Sequence, residues 1–256
     1  MHRILFQIGT LTVYTYGMFL AVAFVISVLF ILKDAKKEGL DPGSMLDCVV
    51  IILLSGVLGG RLLFVAINWK EYLSFPGRIL LLHEGGLAFQ GALAGAVVGG
   101  LFAARAKHIP FWKGADVFAP YIALGQAIGR IGCFFNGCCY GIPSDSGIRV
   151  LFPGHGTERI PAQLYSSALL FGLFALLVYA GKKRRFRGFL FSLYLRSYGA
   201  LRFFMDLMRD DNPGVLGMMK LSQILSLVIL SAGAGCYYFL KKGASENIDG
   251  KDRVHS

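Results

Sequence analysis

Long apolar segments with few or no charges are the feature that most constrains this chain. The 29 residues from 4 to 32 contain no charged side chain, and a helix needs about 20 apolar residues to cross a bilayer. A cleavable signal peptide has an apolar core of only about 7 to 15 residues. We therefore interpret the first segment as a retained transmembrane helix at about 13–32.

The same pattern recurs along the chain in six further apolar segments, at about 46–67, 86–104, 115–135, 162–180, 188–208 and 219–240. Of the 256 residues, 55% are hydrophobic and only 16% are charged, whereas a soluble domain has about 25% charged residues. One soluble core cannot bury that much apolar surface, which excludes disordered proteins and most cytosolic enzymes. The sequence predicts an all-α, polytopic membrane protein with seven transmembrane helices in residues 1–242 and a polar cytoplasmic tail in residues 243–256.

The distribution of lysine and arginine predicts the orientation of these helices. One alternate set of loops, with the C-terminal tail, holds 15 of these residues, and the opposite set holds 8. Because cytoplasmic loops carry the excess of positive charge, we expect the N-terminus outside and the C-terminus in the cytoplasm. Contacts of the basic loops with anionic membrane lipids account for the net charge of +11 without nucleic acid as a partner.

Charged residues inside a predicted span are candidates for function because they are costly in a membrane. Arg202, Asp206 and Arg209 are spaced i, i+4 and i+7, so they share one face of a helix. Two interpretations stay open. Either Arg202 and Asp206 neutralise each other while Arg209 extends to the outer surface, or the excess positive charge binds an anion.

A glycine-rich segment surrounds Arg130. Five glycines lie between residues 125 and 141, and they disfavour an uninterrupted packed helix. At membrane depth, irregular backbone survives only where it is buried or lines a cavity. A guanidinium beside open backbone suits phosphate, which it binds in a bidentate manner. The alternative is a simple helix break with Arg130 reaching the outer interface.

Three cysteines, Cys133, Cys138 and Cys139, lie in the same segment. Their spacing lacks the paired C-x2-C arrangement of zinc sites, and no histidine follows at ligand distance. We therefore predict neither a metal nor another cofactor. Small packing residues are the simplest interpretation, and a disulfide between Cys133 and Cys138 on the outer face stays open as an alternative.

The third predicted span opens with a segment that contains His83 and Gln90. The Gln90 amide lies inside the apolar run and needs a partner; a hydrogen bond between helices is the simplest role. His83 is interpreted as a solvated loop histidine. Glycine stands at every fourth position of this span, and the stripe predicts that another helix approaches closely there; its members are Gly91, Gly95 and Gly99.

Six separated segments, in order and on matching spans, resemble the bacterial prolipoprotein diacylglyceryl transferase family, and the resemblance covers nearly the whole chain. They are Tyr16-Gly17, Gly60-Arg61-Leu62 and residues 83–91, 129–141, 159–165 and 198–209. The last three are similar to the family patterns G-R-[IL]-G-N-F-x-N-G-E-x-[WY]-G, R-H-P-[ST]-Q-L-Y and Y-G-x-x-R-x-x-x-E-x-x-R. The family also implies seven transmembrane helices with the N-terminus outside.

The resemblance implies a transferase of the bacterial plasma (inner) membrane whose site faces the outer, periplasmic leaflet. Such an enzyme moves the diacylglyceryl group of phosphatidylglycerol to the lipobox cysteine thiol of a prolipoprotein and releases glycerol 1-phosphate. Arg130 and Arg202 would then clamp the phosphate. The other implied site residues are Asp206, which would orient Arg202, Arg209 near the lipid entry, Tyr16 and Asn136 as neutral hydrogen-bonding groups, Gln90 at a catalytic position, and Arg61 and Gly141 in the substrate-binding set.

This sequence departs from the family at the positions that handle protons. Gln90 stands where the family has a histidine that is often proposed as the base, Cys133 replaces an asparagine, and Cys138 replaces a glutamate. A glutamine cannot accept a proton at neutral pH. The proton of the acceptor thiol is then taken up by His83, Asp206 or water, or the thiol ionises without a base. Two alternatives to this enzyme remain, a related lipid transferase with another acceptor and a non-catalytic phospholipid-binding or transport protein.

Overall fold

A computed structural model describes residues 4–9, 11–81, 85–145, 147–153, 156–209, 214–216 and 219–252 of the chain. Every one of the seven predicted apolar segments is a helix. The helices are α1 (Thr15–Lys37), α2 (Pro42–Ile67), α3 (Trp69–Ser74), α4 (Phe89–Ala106), α5 (Phe111–Asn136), α6 (Ala162–Gly181), α7 (Phe189–Leu207) and α8 (Leu221–Asp252). Only the short α3 has no counterpart among the predicted spans, and α8 continues into the residues predicted as a polar tail.

Six of these helices are long and apolar enough to cross a membrane by length and composition, namely α1, α2, α4, α5, α6 and α8. The seventh predicted span, α7, is a helix of 19 residues. It is less apolar because it carries Arg196, Arg202 and Asp206. Within the described part of the chain, the architecture is thus a set of apolar helices typical of a multi-pass membrane protein.

Short antiparallel ribbons connect or precede the helices. They are β1 (Ile4–Ile8) with β2 (Leu11–Tyr14), β3 (Val150–Leu151) with β4 (Glu158–Arg159), and β5 (Gly214–Leu216) with β6 (Met219–Lys220). None of these ribbons was predicted from the sequence. For the first one, the uncharged N-terminal segment suggested only a helix. Gly9 adopts a φ of +59° between the first two strands, a conformation that glycine accepts without steric cost.

The chain divides into two compact units, Met1–Phe30 with Ala115–Ser256 and Ile31–Gly114. The first unit has its core between α5, α6 and α7, where small residues of α5 contact larger apolar side chains. The fully or nearly buried members of this core are Ala119, Ala123, Ala127, Leu170, Leu173, Leu177, Leu190 and Tyr194. This core holds the two helices that carry most of the candidate site residues, α5 and α7.

Asp116 positions the start of α7 within the first unit. Its buried carboxylate accepts hydrogen bonds from the backbone N–H of Gly188, at 2.7 Å, and of Phe191, at 3.0 Å. These donors belong to the first turn of a helix, where backbone N–H groups have no partner within the helix. A negative side chain there also complements the helix dipole, so α5 fixes the end of α7 opposite to the candidate site.

In the second unit, α2 and α4 pack with their backbones close together, which confirms the prediction from the glycine stripe. A Cβ atom added at Gly95 would overlap the carbonyl oxygen of Ser55, and one added at Gly91 would overlap that of Gly59. Only glycine therefore fits at these two positions. The stripe is a packing feature between two helices, as its spacing indicates.

Candidate active site

The glycine-rich segment ends α5 with a tight turn. Gly137 follows the helix with a φ of +71°, which is typical of the residue after a helix C-terminus. The N–H of Gly137 donates to the carbonyl of Phe134 at 3.1 Å, and the N–H of Cys138 donates to that of Cys133 at 3.2 Å. The glycines at 125, 129 and 132 thus do not interrupt α5, which continues past Arg130 and ends at Asn136.

The backbone after this turn is fixed from two sides. The N–H of Gly141 donates to the carbonyl of Ile160 at 2.9 Å, and the N–H of Ile142 donates to that of Met208 at 3.0 Å. A Cβ atom at Gly141 would lie 2.8 Å from the Met208 oxygen and 2.9 Å from the Ile160 oxygen. Gly141 is therefore required for the close approach of three chain segments, and its place in the substrate-binding set stays a prediction.

Three arginines of the first unit lie in one electrostatic neighbourhood. Arg202 forms an ion pair with Asp206, with 3.1 Å between Nη2 and Oδ1, and it experiences repulsion from Arg130 and Arg209. Asp206 is fully buried and Arg209 is 7% exposed. Arg209 also forms an isolated β-bridge with Gly141. Among the described residues, the Asp206 carboxylate therefore lies in the same neighbourhood as three guanidinium groups.

This arrangement bears on both interpretations of the α7 charges. The pair between Arg202 and Asp206 forms, as the purely structural interpretation requires. Arg209, however, is buried against the loop after α5 instead of extending to the surface. The positive charge of Arg209 is therefore held inside the protein.

Tyr16 and Asn136 border the same neighbourhood. Tyr16 is on the first turn of α1, and a Cβ atom at Gly132 would lie 3.2 Å from its ring. The phenol interacts electrostatically with Arg130 and with the three cysteines. Asn136 is the last residue of α5 and donates from Nδ2 to the Sγ atom of Cys138 at 3.5 Å. The structure thus brings together the predicted residues that lie in the first unit.

The three cysteines of this segment converge although they are not evenly spaced in the sequence. The Sγ atoms of Cys133, Cys138 and Cys139 all lie within 4.8 Å of one another, and no disulfide joins them. Hydrogen bonds from Cys133 and Cys138 lower the pKa of the Cys139 thiol, and the positive charges of Arg209 and Arg130 lower it further. The disulfide alternative is therefore not the state seen here.

Arg61 is bonded extensively to the backbone of the second unit. The residue is buried, with 4% exposure. Its guanidinium donates to backbone carbonyls of the segment between α3 and α4, at 2.6 to 3.3 Å; the acceptors are Arg78, Ile79, Leu81, Gly85 and Gly86. Because these bonds engage all three of its nitrogens, Arg61 holds this segment in place, and its assignment to the substrate-binding set stays a prediction.

Gln90 lies in the first turn of α4, in the second unit, and is exposed. It belongs to a different unit from the arginine cluster. His83 lies outside the described residues.

Two residues of the 159–165 segment, which was given no site role from the sequence, support the loop of the site. The buried Gln163 donates from Nε2 to the carbonyl of Cys138 at 2.6 Å. Arg159 donates to the carbonyl of Gly141 at 3.3 Å and lies 5.0 Å from the centre of the Tyr140 ring. The signal was present in the sequence, because a glutamine at the start of an apolar helix needs a partner.

An apolar groove of about 310 Å³ adjoins the neighbourhood of Tyr16. It is lined by Ile4, Leu5, Thr15, Met18, Phe19 and Phe135. Phe19 also packs against Gly132 on α5, and Phe135 precedes Asn136. The groove therefore places apolar side chains next to the helix positions of Tyr16 and Asn136.

The chain is similar to known proteins along nearly its whole length. A family model described as prolipoprotein diacylglyceryl transferase matches residues 3–239. A phosphatidylglycerol–prolipoprotein diacylglyceryl transferase 2 of Clostridium perfringens is 31% identical over 96% of this chain and 98% of its own length. Proteins named phosphatidylglycerol–prolipoprotein diacylglyceryl transferase are similar in Finegoldia magna, at 35% identity over 91% of this chain and 93% of the relative, and in Symbiobacterium thermophilum, at 34% over 89% and 88%.

Proposed function

The chain belongs to the prolipoprotein diacylglyceryl transferase family, and from this premise we propose that it transfers the diacylglyceryl group of phosphatidylglycerol to the lipobox cysteine thiol of a prolipoprotein. Glycerol 1-phosphate is the second product. The observation that carries the proposal is that Arg130, Arg202 and Arg209 lie in one electrostatic neighbourhood beside Asp206. Several guanidinium groups gathered at one place suit the phosphate diester of a phospholipid.

The chemistry defines what the site must do. The acceptor thiolate attacks the terminal glyceryl carbon, a carbon–sulfur bond forms, and the carbon–oxygen bond to phosphate breaks with its electron pair moving to the phosphate oxygen. The site must therefore hold the phosphate and stabilise the charge that develops on it. We assign this role to Arg130 and Arg202, because guanidinium groups bind phosphate oxygens in a bidentate manner.

Neighbouring residues would orient these two arginines. Asp206 holds Arg202 through their ion pair. Arg209 adds positive charge and anchors the loop at Gly141, on the side where we place lipid entry. Tyr16 and Asn136 offer neutral hydrogen-bonding groups, and the adjoining apolar groove can take part of an acyl chain.

We propose that the protein spans the bacterial inner membrane seven times, with the N-terminus outside and the site at the outer leaflet. In that topology, the candidate site residues that lie on helices fall at or near the outer ends of those helices. Tyr16 begins α1, Arg130 and Asn136 lie near the end of α5, and Arg202 lies near the end of α7. A substrate that is a lipid of this leaflet would meet them at headgroup level.

Measurement of both products tests the proposal. The purified protein is incubated with phosphatidylglycerol and a lipobox peptide, with the Clostridium perfringens relative as positive control. We expect the thioether peptide and glycerol phosphate in equal amounts. Arg130→Ala should lower kcat by about 10²- to 10³-fold, as loss of a charge-stabilising donor does. Arg185→Ala, a change at an exposed arginine before α7, should leave the rate unchanged.

The outcomes separate the alternatives. Glycerol phosphate without a thioether peptide would indicate a related lipid transferase with another acceptor. Phospholipid binding that depends on Arg130, without either product under conditions where the relative is active, would overturn the proposal in favour of a non-catalytic lipid-binding protein. Thermal unfolding of both variants in the same detergent shows that any loss of activity is not a loss of folding.

A further inference from the structure

The geometry of the three thiols matches what a zinc ion requires. Zinc binds thiolate sulfur at about 2.3 Å in a tetrahedral arrangement, which places the sulfur atoms about 3.8 Å apart. The Sγ atoms of Cys133, Cys138 and Cys139 already lie within 4.8 Å of one another. Each sulfur atom needs to move by less than about 1 Å, roughly the difference between the separation in this structure and the separation in a zinc site. Small side-chain rotations are enough for such a movement.

The backbone holds the three residues in this arrangement. Cys133 is on the last turns of α5, and the turn at Gly137 directs the next residues back toward it. Cys139 adopts a φ of +63°, a conformation that costs a residue with a Cβ atom energy and persists where the surroundings enforce it. Gln163 holds the carbonyl of Cys138 from α6. The thiols are thus gathered by the fold before any ion binds.

The surroundings complement the charge of such a complex. Three thiolates and one Zn²⁺ carry a net charge of −1, and Arg209 and Arg130 interact electrostatically with Cys139. Asn136 donates to the sulfur of Cys138 at 3.5 Å. Hydrogen bonds of this kind orient metal ligands and tune their basicity.

The number of ligands indicates the kind of zinc site. Among the described residues, the cluster contains three metal-binding side chains and no fourth histidine, cysteine or carboxylate. Structural zinc sites have four protein ligands, whereas catalytic sites have three and leave one position for water or substrate. Three cysteines beside a phosphate-binding cluster therefore fit a catalytic site.

An open position on zinc would supply the nucleophile of the proposed reaction. The proposed function needs an acceptor thiolate, so the acceptor thiol must lose its proton. A thiol that coordinates zinc is deprotonated outright. Coordination of the acceptor would produce the nucleophile without a basic side chain.

We propose that Cys133, Cys138 and Cys139 bind a zinc ion whose fourth position takes the acceptor cysteine thiol, and this inference rests on the proposed function. The acceptor sulfur displaces water from zinc and releases its proton to solvent. It then attacks the glyceryl carbon, the bond from that carbon to the phosphate oxygen breaks, and the leaving phosphate keeps the electron pair. The thioether product is neutral and a weaker ligand than a thiolate, so it leaves the zinc.

Metal content gives a readout that does not depend on activity. The full-length protein is purified, stripped with a chelator and reloaded with zinc sulfate, and bound zinc is measured by mass spectrometry. We expect one zinc per chain in the unaltered protein and in Cys236→Ser, a matched change at a cysteine on α8. The variant with serine at all three positions should bind none. Reloading with cobalt should give a thiolate-to-cobalt absorption band that shifts when a lipobox peptide is added.

The transfer assay then tests the role of the ion. Removal of zinc from the unaltered protein should lower the rate by about 10²- to 10⁴-fold, the contribution of a general base, and zinc should restore it. This comparison needs no variant, so a folding defect cannot imitate the result. Full transfer without bound zinc, or after chelation, would overturn the zinc site and leave the proposed function intact. Zinc binding and a peptide-dependent cobalt band without any transfer would overturn the proposed function while the metal site stands.

Discussion

The buried carboxylate of Asp206 lies among the charged side chains of the candidate site. Asp206 is fully buried and pairs with Arg202, which is also repelled by Arg130 and Arg209. Breaking a buried ion pair by removing one partner is strongly destabilising, because the remaining charge is left uncompensated. We therefore propose that Asp206 acts through Arg202 as a positioning residue.

Substitution of this carboxylate should impair catalysis more than substrate binding. In Asp206→Asn, Arg202 loses the negative partner that holds it against repulsion, and we expect kcat to fall by at least 10-fold, about 1.4 kcal/mol of transition-state stabilisation, with a smaller change in KM. Asp206→Glu restores the family residue and should retain most of the activity. Steady-state kinetics on folded protein checks this. Equal kcat values for Asp206→Asn and the unaltered protein would show that the pair is only structural.

At the scale of elements, α2 and α4 depend on each other through glycine. The stripe on α4 lets its backbone approach the carbonyl groups of α2, as at Gly95 and Ser55. In a bilayer, such packing drives helix association, since lipid tails are as apolar as the helices. The same two helices carry Arg61 and Gln90, and Arg61 fixes the segment between α3 and α4 that leads to Gln90.

Two alanine substitutions on α4 should distinguish the effect of this packing on stability from the effect of helix propensity. Gly95→Ala adds a methyl group that overlaps the Ser55 carbonyl, so α2 and α4 must move apart. Gly100→Ala adds one that lies 3.5 Å from the Ile52 side chain, an ordinary contact. Alanine favours a helix over glycine by about 1 kcal/mol. We expect Gly95→Ala to lower the unfolding temperature in detergent and Gly100→Ala to maintain or raise it. Equal stability of the two would contradict the close packing.

At the scale of the whole molecule, the number of spans depends on α7. Length and composition identify six spanning helices without it. Its charged face is shielded, because Asp206 is fully buried and the Arg202 side chain is only 20% exposed. Charged residues inside membranes usually face the protein interior, which supports our proposal that α7 is a seventh span.

The location of the C-terminus decides between six and seven spans. If α7 crosses the membrane and the N-terminus is outside, α8 ends in the cytoplasm. If α7 does not cross, the C-terminus lies outside. We expect green fluorescent protein fused at the C-terminus to fluoresce and alkaline phosphatase fused there to be inactive, whereas alkaline phosphatase fused after residue 147 should be active. An active phosphatase at the C-terminus would contradict seven spans.

The amino-acid sequence was sufficient to predict the helices and the family. Each of the seven apolar segments forms a helix because backbone groups in a bilayer must bond within their own segment, so local composition decides the structure. The close approach of α2 and α4 could also be predicted, since the spacing of Gly91, Gly95 and Gly99 is a local property. The ribbon of β1 and β2 before α1 could not be predicted, because an uncharged segment next to a helix can form either a strand or more helix.

Only the tertiary structure decided where side chains meet. The spacing of Cys133, Cys138 and Cys139 argued against a metal site, yet the turn after α5 brings their sulfur atoms together. Arg61 looked like a ligand for the headgroup, but folding places backbone carbonyls around its guanidinium. Hydropathy and helical period describe one segment at a time, whereas these contacts join residues through turns and neighbouring segments whose geometry is set by packing.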